Sequence, residues 1–342
     1  MKKYKVAVVG ATGAVGQVML KILAQRNFPV DTLYPLASSR SAGNKIQFKE
    51  EQVEIIDLDG FNFSQVDIAL FSAGGSISEK YAPKAAQAGA IVIDNTSAFR
   101  YQEDIPLIVP EVNIDKLAEY KNHNIIANPN CSTIQMLVAL APIHKHLNIT
   151  RINVATYQAV SGSGQSAIDE LNQQSKKIVE KQQITPEDIQ VYPQQIAFNA
   201  IPHIDVFKDN GYTKEEMKMV WETQKILDSN ILVNPTCVRI PVLYGHSEAV
   251  HIEVEKDFEI SQINDWLSEA PGITLENDID NLKYPTAVNH AAGKDDVYVG
   301  RLRRDISHPL GINLWIVADN IRKGAALNSV QIAEVLIEKA FI

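Results

Sequence analysis

The short stretch Asn128-Pro129-Asn130-Cys131-Ser132-Thr133 combines one thiol with several side chains that accept hydrogen bonds. A short apolar run precedes it, and a longer run of good helix formers follows at 134–141. Proline does not fit inside a helix, whereas Asn, Ser and Thr suit a helix start, so the pattern predicts a strand, a turn and a helix that carries Cys131 in its first turn. There the helix dipole would lower the pKa of the thiol, and free N–H groups could hold an oxyanion. Cys131 is therefore a candidate nucleophile, with an inert buried cysteine as the alternative reading of this stretch.

The composition limits the classes of protein to which this chain can belong. The chain has 342 residues, which suggests two domains, and its 45% hydrophobic and 21% charged residues are ordinary for a globular protein. The net charge of −9 disfavours a nucleic-acid partner. No apolar run reaches the roughly 20 residues that span a bilayer, and the start lacks the apolar core of a signal peptide. Cys131 and Cys237 make no disulfide framework, so we predict a cytoplasmic protein with neither a membrane nor a nucleic-acid partner.

A glycine-rich loop follows the first apolar run. Residues 5–10 are nearly all apolar, as in a parallel strand covered on both faces, and a helical pattern begins at Gln17. The loop between them has the spacing G-x-x-G-x-x-G rather than the usual G-x-G-x-x-G, but its context is that of a dinucleotide-binding fingerprint. Such glycines permit a tight turn, a close approach of backbone to pyrophosphate and close packing of the helix. The cofactor-binding residues predicted here are Gly10, Thr12, Gly13, Ala14 and Val15.

The second predicted strand comprises residues 32–37. The loop that follows it carries the residues that distinguish NAD from NADP. NAD-selective folds usually place an Asp or Glu there to bind the ribose. This chain has Arg40 and Ser41 instead. A guanidinium and a hydroxyl suit a 2′-phosphate, so the sequence favours NADP over NAD, with a solvated polar turn as the alternative.

The order of strands and helices predicts two domains of different class. Over the first 130 residues they alternate, which predicts a Rossmann-like, doubly wound parallel sheet with ligands at the carboxyl ends of its strands. Arg100 lies in such a loop and is a candidate anion binder, with an ordinary surface arginine as the alternative. The later strands are more amphipathic and predict an α+β domain with a mixed sheet. The predicted later strands are 150–160, 238–243, 249–254 and 313–318. We predict an NADP-binding domain of residues 1–130 and 322–342, and a catalytic and dimerisation domain of residues 131–321.

Motifs in one order along nearly the whole chain resemble the aspartate-β-semialdehyde dehydrogenases, most of all a branch common in Gram-positive bacteria. The stretches that carry the resemblance are 9–16, Asp94-Asn95-Thr96-Ser97-Ala98-Phe99-Arg100, 128–133, Tyr157-Gln158-Ala159-Val160-Ser161-Gly162-Ser163-Gly164, Glu222-Thr223-Gln224-Lys225, 237–242, Gly245-His246-Ser247-Glu248 and 318–326. The resemblance implies oxidation of aspartate semialdehyde with phosphate and NADP to aspartyl phosphate, or the reverse reduction, through a cysteine thioester. The biosynthetic direction feeds lysine, threonine and methionine.

The resemblance also implies roles for single residues. Cys131 matches the nucleophile and His246 the acid/base that takes the thiol proton, while Gln158 matches a residue that orients the substrate through its amide. Arg239 matches the ligand of the substrate carboxylate, and Glu222 that of its ammonium. The phosphate-binding candidates are Arg100, Asn130 and Lys225. Arg40, Ser41, Ser161, Gly162 and Asn320 complete the cofactor set. No metal is implied, and the family forms homodimers through the second domain.

Two other functions stay open on the sequence. N-acetyl-γ-glutamyl-phosphate reductase shares fold and chemistry, but its acylated substrate has no ammonium for Glu222 to bind. A non-catalytic NADP-binding regulatory protein is the second alternative. The joint presence of Cys131, Gln158, Arg239 and His246 speaks against it.

Overall fold

The computed structural model describes residues 2–341, and contacts within the chain divide it into two compact units. The first unit comprises the chain up to Asn130 together with the residues from Ala325 onward, and the second comprises Cys131–Gly324. No helix among the described residues is both long and apolar enough to cross a membrane.

Helices and strands succeed one another in the following order, joined by loops and short 3-10 or π-helical turns. They are β1 (Tyr4–Val9), α1 (Ala14–Gln25), β2 (Val30–Ala37), β3 (Lys45–Phe48), β4 (Glu51–Glu54), β5 (Ile56–Asp57), β6 (Ile68–Phe71), α2 (Gly75–Gln87), β7 (Ile91–Asp94), α3 (Pro110–Asn113), β8 (Ile125–Ala127), α4 (Cys131–Leu147), β9 (Ile149–Gln158), α5 (Gln165–Val179), α6 (Lys214–Ile226), β10 (Leu232–Arg239), β11 (His246–Val254), α7 (Ile260–Glu269), β12 (Ile273–Leu275), β13 (Val297–Arg304), β14 (Gly311–Ala318) and α8 (Leu327–Glu338).

The first unit is built on a parallel six-stranded sheet in the order β5-β2-β1-β6-β7-β8. Every residue of β6 and β7 is buried, because apolar side chains on both faces are covered, as in doubly wound sheets. The helix α8 returns to this unit and contributes Leu327, Val330 and Leu336 to its core. An ion pair between Arg26 and Glu334, with Arg26 Nε 2.7 Å from the carboxylate, ties α1 to α8. The predicted Rossmann-like sheet is confirmed.

The second unit is built on a mixed six-stranded sheet in the order β10-β9-β11-β14-β13-β12. The outer pairs β10–β9 and β12–β13 are parallel, and the inner pairs are antiparallel. Along β9 and β11 fully buried residues alternate with half-buried ones, so one face of the sheet is the core face. Helices α4, α6 and α7 pack together with this unit's strands. The predicted α+β domain with a mixed sheet is confirmed.

Strand β10 corrects one prediction from the sequence. The strand expected at 238–243 lies instead at Leu232–Arg239. Pro241 follows in the loop, where the missing N–H costs no ladder bond. Pro235, inside the strand, is tolerated because β10 is the edge strand of the mixed sheet, with β9 as its neighbouring strand. The consequence is that Arg239 stands at the carboxyl end of β10, next to Gln158 at the end of β9.

Candidate active site

The glycine loop of the first unit connects β1 to the start of α1. The N–H groups of Gly10 and Ala11 both donate to Leu36 O, at 2.9 and 3.1 Å, which fixes the loop against the end of β2. A Cβ at Gly16 would lie 2.1 Å from Gly10 O, so only glycine lets α1 approach the loop this closely. Thr12 and Gly13 are exposed, and Gly13 is the N-cap of α1. The exposed loop thus leads into a helix N-terminus, and free N–H groups at such an end can bind anionic groups.

Arg40 and Ser41 lie in the loop after β2, the strand that pairs with β1. Arg40 is exposed and Ser41 is partly buried. Because β1 and β2 are parallel neighbours, their carboxyl ends lie at the same edge of the sheet. A positive charge and a hydroxyl thus follow β2 at the same edge of the sheet as the glycine loop.

The loop that carries Arg100 is held by a buried carboxylate. Asp94, at the end of β7, accepts hydrogen bonds from Ser78 Oγ at 2.7 Å and from both the N–H and Oγ1 of Thr96. Burial raises the pKa of Asp94, and these hydrogen bonds and Arg100 act against the rise. Arg100 is 6% exposed and donates from Nη2 to Asn95 O at 3.0 Å. The guanidinium predicted to bind an anion is therefore fixed within the first unit.

The turn before Cys131 is fixed by a row of asparagines. Asn128 donates its backbone N–H to Asp94 O at 2.8 Å and its Nδ2 to Asn95 Oδ1 at 2.7 Å. Asn328, from α8, donates to Asn128 Oδ1 at 2.7 Å. These bonds hold the chain just before Asn130, which is 6% exposed. As the sequence predicts, the following helix α4 begins at Cys131, whose side chain is only partly buried. The thiol lies at the positive end of the helix dipole.

Gly324 lies directly against the backbone and Cβ of Cys131. A Cβ built on Gly324 would stand 2.7 Å from Cys131 Cβ and 3.2 Å from Cys131 Cα. Contacts of under 3.0 Å between such atoms require something to move, and here both neighbours belong to the first residue of α4. Because residue 324 has no side chain, Cys131 can occupy this position at the start of α4.

We expect Gly324→Ala to lower kcat by about 100-fold, the cost typical of displacing a reacting group by about 1 Å. The measurements are the turnover number and the rate of Cys131 alkylation by iodoacetamide. The matched control is Gly75→Ala, because a methyl group at Gly75 meets no atom within 4 Å. Wild-type turnover and alkylation in Gly324→Ala would show that Gly324 does not set the thiol position.

His246 is fully buried at the start of β11, close to the helix of Cys131. Gln135, one helical turn after Cys131, donates from Nε2 to His246 O at 3.4 Å. Ala159 N–H donates to His246 Nδ1 at 3.0 Å, so Nδ1 is an acceptor and the proton of the neutral ring is assigned to Nε2. Nε2 is buried and has no hydrogen-bond partner among residues 2–341. Burial, then the charge of Arg239, lowers the pKa of His246 to about 3, which keeps the ring neutral.

Arg239 and His246 face a space left by Gly162. A Cβ at Gly162 would lie 3.1 Å from Arg239 Nη1 and 3.5 Å from His246 Nε2. Arg239 donates from Nη1 to Ala159 O at 2.7 Å, and its guanidinium lies 5.9 Å from the ring centroid of Tyr192. Its buried Nε has no hydrogen-bond partner in the described part of the chain. Two kinds of hydrogen-bond donor, a guanidinium and a neutral imidazole, thus lie next to the space that a side chain at residue 162 would occupy.

Gln158 ends β9 and is 1% exposed. Its Nε2 donates to Thr156 Oγ1 at 3.2 Å and to Glu215 Oε1 at 3.3 Å. Glu222 and Lys225 follow Glu215 on α6. Glu222 is fully buried, whereas Lys225 is partly exposed near the end of the helix. The second unit therefore holds the predicted residues Cys131, Gln158, Glu222, Lys225, Arg239 and His246.

Ser161 and Asn320 are joined by their side chains. Asn320 Nδ2 donates to Ser161 Oγ at 3.0 Å, and Gly245 N–H donates to Asn320 Oδ1 at 3.0 Å. Both side chains are buried. Asn320 thereby supports the loops that carry Gly162 and His246, and its predicted contact with the nicotinamide stays a prediction.

Several residues that the sequence reading left without a role belong to this region. Gly324 and Ala159 contact Cys131 and His246 across long separations in the chain, and no local pattern reveals such a contact. Glu248, two residues after His246, is fully buried. Burial raises the pKa of Glu248 well above its ordinary value, and the neighbouring polar groups of Gln135 and Ser132 oppose that rise. Cys237 is buried beside Met219, and burial raises the pKa of its thiol, as suits a cysteine without chemistry.

Two protein-family models match the chain, one over each unit. The model described as "Semialdehyde dehydrogenase, NAD binding domain" matches residues 5–120, and the one described as "Semialdehyde dehydrogenase, dimerisation domain" matches residues 140–323. The fold and the site thus define a semialdehyde dehydrogenase with a nicotinamide-nucleotide domain and a domain for dimerisation.

Whole-chain relatives narrow this class. The chain is 62% identical to the aspartate-semialdehyde dehydrogenase of Shewanella violacea, over 98% of each protein. It is 54% identical to that of Bacillus subtilis over 97% of this chain and 96% of the relative, so the resemblance is not confined to one bacterial branch. The solved structure of aspartate semialdehyde dehydrogenase II of Vibrio cholerae, complexed with ASA, superposes with a TM-score of 0.96 at 57% identity over 99% of each chain.

The chain therefore belongs to the aspartate-semialdehyde dehydrogenase family. It is an oxidoreductase that interconverts aspartate 4-semialdehyde and aspartyl phosphate in the biosynthesis of lysine, threonine and methionine. Neither the N-acetyl-γ-glutamyl-phosphate reductase nor the non-catalytic reading is retained.

Proposed function

We propose that this enzyme oxidises aspartate semialdehyde through a thioester on Cys131, with NADP⁺ as the hydride acceptor and inorganic phosphate as the second substrate. The observation that carries the proposal is the thiol at the N-terminus of α4, packed against Gly324 and one helical turn from the contact between Gln135 and His246. A thiolate at a helix N-terminus is a competent nucleophile toward a carbonyl.

The residue roles follow from the charges of the substrate. Arg239 binds the carboxylate of aspartate semialdehyde, and Glu222 binds its ammonium. Gln158 positions the aldehyde beside Cys131. Arg100, Asn130 and Lys225 are the candidates for binding the phosphate that attacks the thioester and releases aspartyl phosphate.

For His246 we propose a role different from the one expected from the sequence. A base for the thiol needs a free lone pair at the reacting nitrogen, but Nδ1 accepts from Ala159 and Nε2 carries the proton. His246 therefore serves as a neutral donor: its Nε2–H holds the oxygen that becomes negative when the thiolate attacks. That oxyanion re-forms the carbonyl as the hydride leaves, so this step needs no base. Bound NADP⁺ supplies the hydride acceptor.

We propose NADP rather than NAD because Arg40 and Ser41 follow β2, the parallel neighbour of β1, while no carboxylate follows β2 directly. Thr12, Gly13, Ala14 and Val15 would hold the pyrophosphate, and Ser161, Gly162 and Asn320 are further candidates toward the nucleotide. We expect Arg40→Ala to raise KM for NADP⁺ about tenfold or more, the loss of a charge-assisted contact, and to leave KM for NAD⁺ unchanged.

The measurement is initial velocity with each nucleotide for wild type, Arg40→Ala and the control Lys45→Ala, which removes another exposed cation from the same unit. Equal effects of Arg40→Ala on NADP⁺ and NAD⁺ would contradict a role for Arg40 in binding the 2′-phosphate.

We also propose a homodimer formed through the open face of the mixed sheet. This face carries Tyr157 and Trp315, whose ring centroids are 5.7 Å apart, and a cavity of about 350 Å³ beside Ala249. Half-buried aromatic side chains on a sheet face suit a protein interface. Light scattering at working concentration should give twice the chain mass of 37.9 kDa. A cytoplasmic location, suggested by two cysteines that form no disulfide, stays a prediction.

The experiment that tests the proposed reaction follows NADPH absorbance from NADP⁺ and aspartate semialdehyde, with and without phosphate. We expect sustained formation only with phosphate. In its absence, a burst equal to one NADPH per site would mark thioester formation without release. Equal steady rates with and without phosphate would contradict phosphate as the acyl acceptor.

A further inference from the structure

A chain of charged side chains leads from the surface of the second unit to the amide of Gln158. Asp205 accepts from Lys218 Nζ at 2.9 Å, and Lys218 Nζ also donates to Glu215 Oε2 at 2.9 Å. The other oxygen of Glu215, Oε1, accepts from Gln158 Nε2. Glu215 is 5% exposed, and the side chain of Lys218 is 13% exposed, so the contacts are largely shielded from water.

Glu215 has a cationic partner, because the ammonium of Lys218 lies 2.9 Å from its Oε2. Burial alone would lower the pKa of Lys218, but Glu215 and Asp205 outweigh burial and hold that pKa above its ordinary value. A carboxylate paired with an ammonium accepts hydrogen bonds and donates none. Its partner on Gln158 must therefore be the NH₂ group, because the amide oxygen would be repelled.

Both hydrogens of the Gln158 amide are thereby engaged, one by Glu215 and one by Thr156. The carbonyl oxygen Oε1 accepts no hydrogen bond from any residue of the described range 2–341. With the nitrogen side occupied, Oε1 is the atom left for a ligand.

We propose that Glu215 is a positioning residue that fixes the amide of Gln158 in one of its two flips, so that Gln158 meets the substrate as a hydrogen-bond acceptor. This inference rests on the proposed role of Gln158. A hydrogen-bond acceptor on Gln158 suits the N–H groups of the substrate ammonium. Gln158 then complements His246, which presents only a donor.

The test is a double-mutant cycle on kcat/KM for aspartate semialdehyde. Glu215→Gln keeps the shape of the side chain but adds a donor, so the amide of Gln158 can take either flip. We expect a loss of about 10- to 100-fold in the wild-type background, and less than about twofold in the Gln158→Ala background, because the effect passes through Gln158. Glu215→Asp keeps an acceptor-only group and should recover part of the loss.

The control is Glu216→Gln, on the same helix and also buried, where Glu216 accepts from Thr213 N–H and, at 3.0 Å, from Cys237 N–H. Its effect should be the same in both backgrounds, as for any change that only weakens the fold. Equal losses from Glu215→Gln in both backgrounds, or none in the wild type, would overturn the positioning role. Wild-type kcat/KM in Gln158→Ala would instead refute the proposed role of Gln158, and the inference would fall with it.

Discussion

Cys131→Ala should abolish turnover, with at least about 10⁴-fold loss of kcat, because the proposed mechanism forms the acyl bond on this thiol. The loss should be in chemistry rather than in folding. The side chain of Cys131 is partly exposed, so its truncation leaves no large cavity in the core. Affinity for NADP⁺, measured by fluorescence titration of the free enzyme, should stay within about twofold of wild type, because the glycine loop belongs to the other unit.

The matched control for that prediction is the second cysteine. Cys237 is fully buried in β10, and its thiol is 3.9 Å from Met219 Sδ. Cys237→Ala should keep most activity at 25 °C while it lowers the free energy of unfolding, since a small cavity opens in the core. Iodoacetamide should inactivate Cys237→Ala at the wild-type rate and modify one residue, Cys131. More than trace turnover in Cys131→Ala would exclude the thioester mechanism.

The sequence predicts candidate reacting groups from local patterns, but it does not predict the contacts that hold these groups in place. Cys131 could be assigned to a helix start because Pro129, Asn130 and Ser132 are local signals that act over a few residues. The parallel sheet followed from a similar local signal, the uninterrupted apolar strands. In contrast, Gly324 against Cys131 and Ala159 against His246 are contacts between distant segments. Such contacts depend on the order of strands in the mixed sheet, which periodicity does not encode.

Strand ends were the least predictable local feature, and they matter for the site. The apolar residues at 238–243 resemble a strand, but Pro241 and the edge position of β10 end the strand at Arg239. This shift places Arg239 beside Gln158 at the ends of two neighbouring parallel strands. The two residues lie close together because the register of β9 and β10 pairs them. The sequence alone supplied the residue types, and the pairing of β9 with β10 supplied their geometry.

The second large effect on kcat is expected at His246, because its hydrogen bonding makes Nε2 a donor. We expect His246→Ala to lower kcat by about 10²- to 10³-fold, the usual cost of removing one donor to an oxyanion. His246→Gln should retain about tenfold more activity than His246→Ala, because its amide can donate from nearly the position of Nε2 but cannot act as a base. If His246 were the base for the thiol, the two variants would be equally impaired.

The pH dependence separates the two roles further. Burial and Arg239 lower the pKa of His246 to about 3 from an ordinary value of 6.5. The folded enzyme therefore keeps this ring neutral at every pH well above 3, whereas the unfolded chain binds a proton below about 6.5. The sign follows: His246 favours the folded state above pH 6.5, and this contribution is lost as pH falls from 6.5 toward 3. Turnover should show no ionisation of His246 between pH 5 and 9, and His246→Gln should leave the pH profile of Cys131 alkylation unchanged.

Nitrogen-15 NMR of the imidazole rings shows directly which nitrogen of His246 is protonated, without substrate or nucleotide. Comparison of wild type with His246→Gln assigns the resonances of His246. A protonated Nε2 and an unprotonated Nδ1 at pH 7 are expected, because Ala159 N–H occupies the lone pair of Nδ1. An imidazolium, or a proton on Nδ1, would instead require that the bond from Ala159 be broken, and would return His246 to the role of base. The chemistry at Cys131 could survive that outcome, since it is tested separately by the cysteine variants.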